Sequence, residues 1–188
     1  EWLKLVVRSV QKLNQKYINS IVKKALEEDL RPNGDITTNL ISLKNKVSYA
    51  KIVAKQNGVV AGLNFCKAAF KITGKETIFK TKLKDGEIIK KNKVIAKIKA
   101  KTKTILTAER TALNFLNHAS GIATLTNQYV KKVNKKTKIC CTRKTTPNLR
   151  LLEKYAVKKG GGFNHRYNLS DEILIKDNHI NAEKSLKN

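Results

Sequence analysis

Three short stretches of this 188-residue chain run into polar, mostly cationic residues, and they form its first chemical signal. Cys141-Thr142 leads into Arg143-Lys144, Phe163-Asn164 into His165-Arg166, and Ile175 into Lys176-Asp177-Asn178-His179. Cations gathered around one point repel each other, so such a cluster calls for an anionic ligand. A substrate with several carboxylates or phosphates meets that need. Arginine carries extra weight, because among 40 basic residues only Arg8, Arg31, Arg110, Arg143, Arg150 and Arg166 are Arg. Where Lys serves as the general surface cation, Arg is expected where a planar fork grips a carboxylate or phosphate. That singles out Arg110, Arg143 and Arg166.

Taken one at a time, the same residues have plainer readings. Arg143-Lys144 could be a solvated loop, His165 a structural histidine, and Lys176 a partner of Asp177 or Asp171. His118 reads as structural, at a helix end. Gly160-Gly161-Gly162 reads as a helix stop with close packing, since no helix follows to present N–H groups to a phosphate. Cys140 and Cys141 read as strand residues, and with no adjacent base nucleophilic catalysis is not expected of them.

The elements that must position these residues follow from periodicity. Leu3 to Leu30 has helical apolar spacing, with Ile18, Ile21, Val22, Ala25 and Leu26 on one face. Arg31 to Asp35 is a turn cluster. Val47 to Lys55 alternates like a half-buried strand, and Gly58 to Gly62 reads as a short one. Leu63 to Phe70 suggests a helix. Ile78 to Leu83 and Val94 to Ile98 suggest further strands, divided by the turn Asp85-Gly86-Glu87. The first hundred residues therefore predict an α+β unit with an antiparallel sheet.

Beyond them, Ala108–Leu116 and Ile122–Val133 suggest two helices broken at Ser120-Gly121. Lys138–Thr142 suggests a strand. Thr146-Pro147 fits the N-cap and first position of a helix from Asn148 to Lys159. Asp171–Lys176 suggests another strand. Strand, helix, strand is the opening of a parallel α/β array, whose strand C-termini would bring the cations to one face.

Composition bounds the class. A hydrophobic content of 40% supports a core, which excludes a wholly disordered basic tail. No apolar run approaches the roughly 20 residues of a membrane span. Three cysteines, Cys66, Cys140 and Cys141, are too few for a disulfide framework, and adjacent cysteines suit zinc poorly. A reducing cytoplasm fits best. The net charge of +26 invites non-specific polyanion binding, but lysines are spread through every segment and only 6% of residues are aromatic. No aromatic ladder stands ready to stack bases, so specific nucleic-acid binding is not expected.

Several longer motifs resemble one family. Ala108-Glu-Arg-Thr-Ala-Leu-Asn-Phe-Leu, Ser120-Gly-Ile-Ala-Thr-Leu-Thr, Thr142-Arg-Lys-Thr-Thr-Pro and Leu152-Glu-Lys-Tyr-Ala-Val are similar to quinolinate phosphoribosyltransferases. So are Gly160-Gly-Gly with Asn164-His-Arg, and Leu174-Ile-Lys-Asp-Asn-His. Glu28-Asp-Leu with Gly34-Asp-Ile-Thr-Thr resembles the family's N-terminal signature. The likeness is dense from about Thr104 to Ile180.

That resemblance implies an N-terminal α/β sandwich over residues 1–106. It places the first part of an incomplete, TIM-like α/β barrel over residues 107–188. It implies transfer of phosphoribosyl from phosphoribosyl pyrophosphate to quinolinate with decarboxylation, giving nicotinate mononucleotide, pyrophosphate and CO₂ for NAD biosynthesis. Carried onto this sequence, Arg143, Arg166 and Lys176 hold the quinolinate carboxylates with His165 beside them, and Thr142 joins the substrate contacts. Lys144 meets the phosphoribosyl substrate. Catalytic roles fall to Lys144, His165 and Lys176, and Arg110 reaches the site of a neighbouring subunit in a homodimer or larger homo-oligomer. Mg²⁺ accompanies phosphoribosyl pyrophosphate, with its protein ligands expected beyond residue 188.

Some positions depart from the family's pattern. Asn148 stands where Gly is usual, which should alter only the helix start, and Cys141 stands where many members have Asp. The chain stops after about three expected barrel strands, so it reads as C-terminally truncated and weakly active or inactive in isolation. Two other classes compete: a pyrophosphorylase-like protein with another anionic substrate, and a basic module or inactive fragment that binds polyanions through charge alone.

Overall fold

The first helix, α1 (Gln15–Leu30), starts where Asn14 accepts a hydrogen bond from the Tyr17 N–H at 2.7 Å. Its apolar spacing buries Ile18, Val22 and Leu26. A computed structural model describes residues 13–41, 46–134 and 136–183, so the first part of the expected Leu3–Leu30 helix lies outside the described residues. The Arg31–Asp35 turn leads into α2 (Ile36–Leu40), capped by Asp35.

Alternating residues then build the sheet. β1 (Val47–Val53), β5 (Val94–Lys101) and β3 (Ile78–Lys80) form an antiparallel sheet in the order β1-β5-β3. β2 (Gly58–Val59) and β4 (Ile88–Ile89) form a separate two-stranded pair. Gly86, at φ +102°, makes the turn before β4. Ala96, Ile98 and Ala100 face inward along β5 while Lys97, Lys99 and Lys101 face out, the period-2 pattern of a half-buried strand.

Helices cover the apolar side. α3 (Leu63–Thr73) buries Leu63, Phe65, Cys66, Ala68, Ala69 and Phe70. Phe65 meets Phe115 at 5.3 Å and Tyr17 edge-on at 6.3 Å, tying α1, α3 and the next helix into one core. These elements bear out the α+β reading of the first half.

The second half departs from expectation in four places. Ala108–Leu116 and Ile122–Val133 are not two helices but one, α4 (Thr102–Lys132), about 45 Å long at 1.5 Å per residue. Ser120 does not break it. Its hydroxyl accepts from the Ala61 N–H at 3.0 Å and donates to the Ala61 carbonyl at 3.1 Å, so it serves the strand region beside it. Gly121 faces open space. Lys138–Thr142 forms no strand, only a single parallel bridge from Cys140 to Phe163. Asp171–Lys176 forms none either, and Ile173 there is 92% exposed. A strand needs a ladder partner, and neither stretch has a neighbour to extend it among the described residues. Finally, Thr146-Pro147 does not cap α5, which runs from Arg150 to Lys159. Asn148 sits at φ +64° and forces a turn first, with the Leu149 N–H donating to the Thr146 carbonyl at 3.1 Å.

α5 ends at Gly160, which is buried against α4; a Cβ there would strike the Ala123 carbonyl and lie 2.7 Å from Thr126 Cβ. The glycine run is thus a helix stop and a close approach. A short helix, α6 (Asp177–Ala182), follows. Among the described residues no helix is long and apolar enough to cross a membrane.

Candidate functional site

Two loops and the segment before α6 enclose a cleft of about 440 Å³. The loop between the Cys140 bridge and α5 supplies Cys141, Thr142, Arg143 and Lys144. The loop after α5 supplies His165 and Arg166, and the segment before α6 supplies Leu174 and Lys176. Six of the seven expected site residues therefore meet around one cavity. The seventh, Arg110, is exposed on α4 and lies outside the cleft.

The cleft is cationic by construction. Arg143, Lys144, Arg166 and Lys176 line it, and no carboxylate does. Arg143 Nε is buried without a hydrogen-bond partner, a costly arrangement for a charged donor unless a ligand completes it. Arg166 is only 7% exposed and spends one N–H on the Glu172 carbonyl at 2.8 Å. Among the described residues Lys176 forms no ion pair with Asp171, whose carboxylate instead accepts the Tyr167 N–H at 2.7 Å.

Histidine 165 is oriented from its own backbone side. The Arg166 N–H donates to His165 Nδ1 at 2.7 Å, which places the ring proton on Nε2. The Glu172 carboxylate, 3.9 Å from the same Nδ1, is then a distant electrostatic neighbour and not a hydrogen-bond acceptor. A neutral ring with Nε2–H can donate to an anionic ligand.

Two supporting residues had no special signal in the sequence beyond the Glu153-Lys154 pair within a motif. Glu153, 9% exposed, accepts from the Thr146 N–H at 3.2 Å and pairs with His118 Nε2 at 3.0 Å. It ties α4 to the loop that carries Thr142, Arg143 and Lys144. His118 is thus structural as expected, though it sits within α4 and not at a helix end. Lys154, 2% exposed, donates to the His165 carbonyl at 2.8 Å and to Cys141 Sγ at 3.0 Å. It fastens the two cationic loops together. Asp85 extends the frame, accepting from Tyr155 Oη at 2.8 Å and from the Leu63 N–H at 3.1 Å. Burial, with Asp85 beside it, pushes the Tyr155 hydroxyl well above its ordinary value.

The described residues hold no cluster of three or more His, Cys, Asp or Glu side chains suited to a metal. A lining of Arg and Lys is the wrong donor set for a hard cation such as Mg²⁺. What the geometry provides is a cationic cleft with one unpartnered guanidinium donor, carried on an α+β scaffold.

Comparisons with known proteins identify the family to which this scaffold belongs. Residues 35–120 match the family model described as quinolinate phosphoribosyl transferase, N-terminal domain, and residues 122–188 match the C-terminal domain of the same family. The chain belongs to the quinolinate phosphoribosyl transferase family. It is 40% identical over 171 residues to a probable nicotinate-nucleotide pyrophosphorylase [carboxylating] of Bacillus subtilis, covering 90% of this chain and 58% of that one. Identity reaches 47% over 167 residues with the protein of the same name in Methanocaldococcus jannaschii, covering 87% and 57%. The crystal structure of NadC from Streptococcus pyogenes superposes with a TM-score of 0.86 at 43% identity, covering 90% of this chain and 61% of that one. The chain thus spans about three-fifths of the length of these relatives.

Proposed function

We propose that the cleft is the quinolinate-binding part of an enzyme that transfers phosphoribosyl from phosphoribosyl pyrophosphate to quinolinate, with loss of CO₂. The single observation that carries this is the buried, unpartnered Nε of Arg143 in a cleft whose charged groups are all cationic. Quinolinate has two adjacent carboxylates, and burying both requires paired, hydrogen-bonded cations. Arg143, Arg166 and Lys176 supply them, Thr142 and His165 add polar contacts, and Lys144 faces the phosphoribosyl substrate.

In the reaction, the ring nitrogen attacks the anomeric carbon while the bond to pyrophosphate breaks and its electron pair leaves on that oxygen. The sugar passes through a cation-like state, so positioning and anion stabilisation count for more than a protein nucleophile. The alkylated ring nitrogen then accepts charge from the neighbouring carbon as its carboxylate departs as CO₂. A proton from water completes that carbon. Mg²⁺ would accompany the pyrophosphate, and the described residues offer it no carboxylate cluster.

The same reading divides the chain into a sandwich domain over 1–106 and the first part of a TIM-like barrel over 107–188. It places the enzyme in a reducing cytoplasm as a homodimer or larger homo-oligomer. Arg110, exposed and away from its own cleft, is assigned to a neighbour's site.

Calorimetric titration tests the substrate. Quinolinate should bind, nicotinate with its single carboxylate should bind at least tenfold more weakly, and Arg143→Ala should weaken quinolinate by about 10–100-fold. That range corresponds to about 1.5–3 kcal/mol for a charged hydrogen bond. Equal affinity for the two ligands, or unchanged binding by the variant, would exclude quinolinate as the occupant.

A further inference from the structure

We propose that Arg150 and Lys154 of α5 are positioning residues, a two-point clamp that fixes the separation of the cleft's two walls and so selects anions able to engage both. One wall is the loop bearing Thr142, Arg143 and Lys144, and the other is the loop bearing His165 and Arg166. At their roots the walls are joined by backbone. The Cys141 N–H donates to the Phe163 carbonyl at 3.0 Å, and the Phe163 N–H to the Ile139 carbonyl at 2.8 Å. Beyond that bridge the Cys141 thiol donates to Asn164 Oδ1 at 3.4 Å, a weak tie for two walls that carry like charges.

Arg150 and Lys154 stand one turn apart on the same face of α5, and each donates to both walls. Lys154 Nζ reaches Cys141 Sγ at 3.0 Å on the first wall and the His165 carbonyl at 2.8 Å on the second. Arg150 repeats the pattern at the far end of each loop. Its Nε donates to Thr145 Oγ1 at 3.0 Å and a terminal N–H donates to the Tyr167 carbonyl at 3.1 Å. Its guanidinium also lies over the Tyr167 ring, 5.9 Å from the centroid. The contacts at 141 and 145 bracket Arg143, and those at 165 and 167 bracket Arg166. All four acceptors are neutral, and among the described residues neither cation belongs to an ion pair. Lys154, 2% exposed, cannot trade these partners for water.

The consequence is selectivity. A ligand with two carboxylates draws on both walls only when their spacing is already right, whereas a single carboxylate can be held by one wall. A preset spacing therefore favours the dianion. Position 150 needs a planar fork, because its two acceptors lie on different loops. Lysine offers a point charge on a flexible stem. Arg150→Lys thus keeps the charge while breaking the clamp, which separates geometry from electrostatics.

The test uses the 188-residue chain and two readouts. The first needs no ligand: hydrogen exchange at the Cys141 and Phe163 amides, whose bonds join the walls. Arg150→Lys and Lys154→Met should each speed both amides by roughly tenfold, while the amides of α3 keep their rates and report an intact fold. The second is calorimetric titration with quinolinate and nicotinate, and it rests on the reading of the cleft as a quinolinate site. The preference for quinolinate should fall by roughly tenfold in Arg150→Lys, mainly through weaker quinolinate binding. Thr145→Val removes one acceptor of Arg150 without altering α5, and should lower the preference in the same direction. Unchanged exchange at both amides would overturn the clamp. So would exchange that quickens equally in α3, since the two residues would then be ordinary supports of the fold. A preference that survives a loosened bridge would overturn the role in selectivity. If the unaltered chain does not bind quinolinate, the substrate reading falls and exchange alone decides the clamp.

Discussion

Single residues in this chain do work that their neighbours make possible. Arg143 carries a donor with no partner, yet it is tolerated because Glu153 holds the loop from the Thr146 side. Tyr17 supports the same loop from α1, donating to the Asn148 carbonyl at 3.1 Å. Burial, reinforced by Tyr167, pushes the Tyr17 hydroxyl up to about 12 from 10.0. The fold therefore keeps the proton that the unfolded chain releases near pH 10. Stability from this group is fully present below pH 10 and is lost as pH rises toward 12. Tyr17→Phe should cost about 1 kcal/mol near neutrality through the missing hydrogen bond. Urea denaturation at pH 8 and pH 11 should show the gap between the two proteins narrowing at the higher pH. A gap that stays constant would show that the hydroxyl is not protected in the fold.

At the scale of elements, α4 and α5 are the frame of the site, and their contact depends on having no side chain at Gly160. A Cβ at that position meets the Ala123 carbonyl and Thr126, both on α4, and backbone cannot step aside as a flexible side chain would. Gly160→Ala should destabilise by about 1–3 kcal/mol, the usual cost of overpacking. It should also weaken ligand binding, since α5 anchors both cationic loops through Glu153 and Lys154. Full stability in the variant, read by its urea midpoint, would show that the two helices part without cost. The same helices show what was legible in the sequence. β1, β3 and β5 could be read because alternation is a local property. The unbroken α4 could not, because Ser120-Gly121 looks like a stop until the strand region that bonds Ser120 is in place. The gathering of Thr142, Arg143, Lys144, His165, Arg166 and Lys176 was legible from repeated cationic endings. The strands thought to carry them were not formed, since a strand is a property of its neighbours. Nothing local in the sequence marks Glu153 and Lys154 as buried, and only the packing of α5 beneath both loops buries them.

The whole molecule carries a charge of +26, and its self-repulsion sets the conditions under which the cleft can be tested. The outer face of the sheet shows the problem in small. Lys51 faces Lys97, and Lys97 faces Lys80, so three strands present one row of like charges. Salt shortens the screening length from about 10 Å at 0.1 M to about 3 Å at 1 M, so sodium chloride should raise Tm. Phosphate at matched ionic strength screens equally but can also occupy the cationic cleft. Bound ligand at ten times its Kd adds about 1.4 kcal/mol, or roughly 3–6 °C for a chain of this size. Phosphate is also excluded from protein surfaces in general, which stabilises any fold. Arg143→Ala separates these effects, because it lowers the net charge only from +26 to +25 while removing a principal cleft cation. General screening and exclusion should therefore survive in the variant. The excess of phosphate over chloride should fall by at least half if it arises in the cleft. An excess of equal size in both proteins would place the phosphate effect on the lysine-rich surface and leave the cleft without a phosphate site.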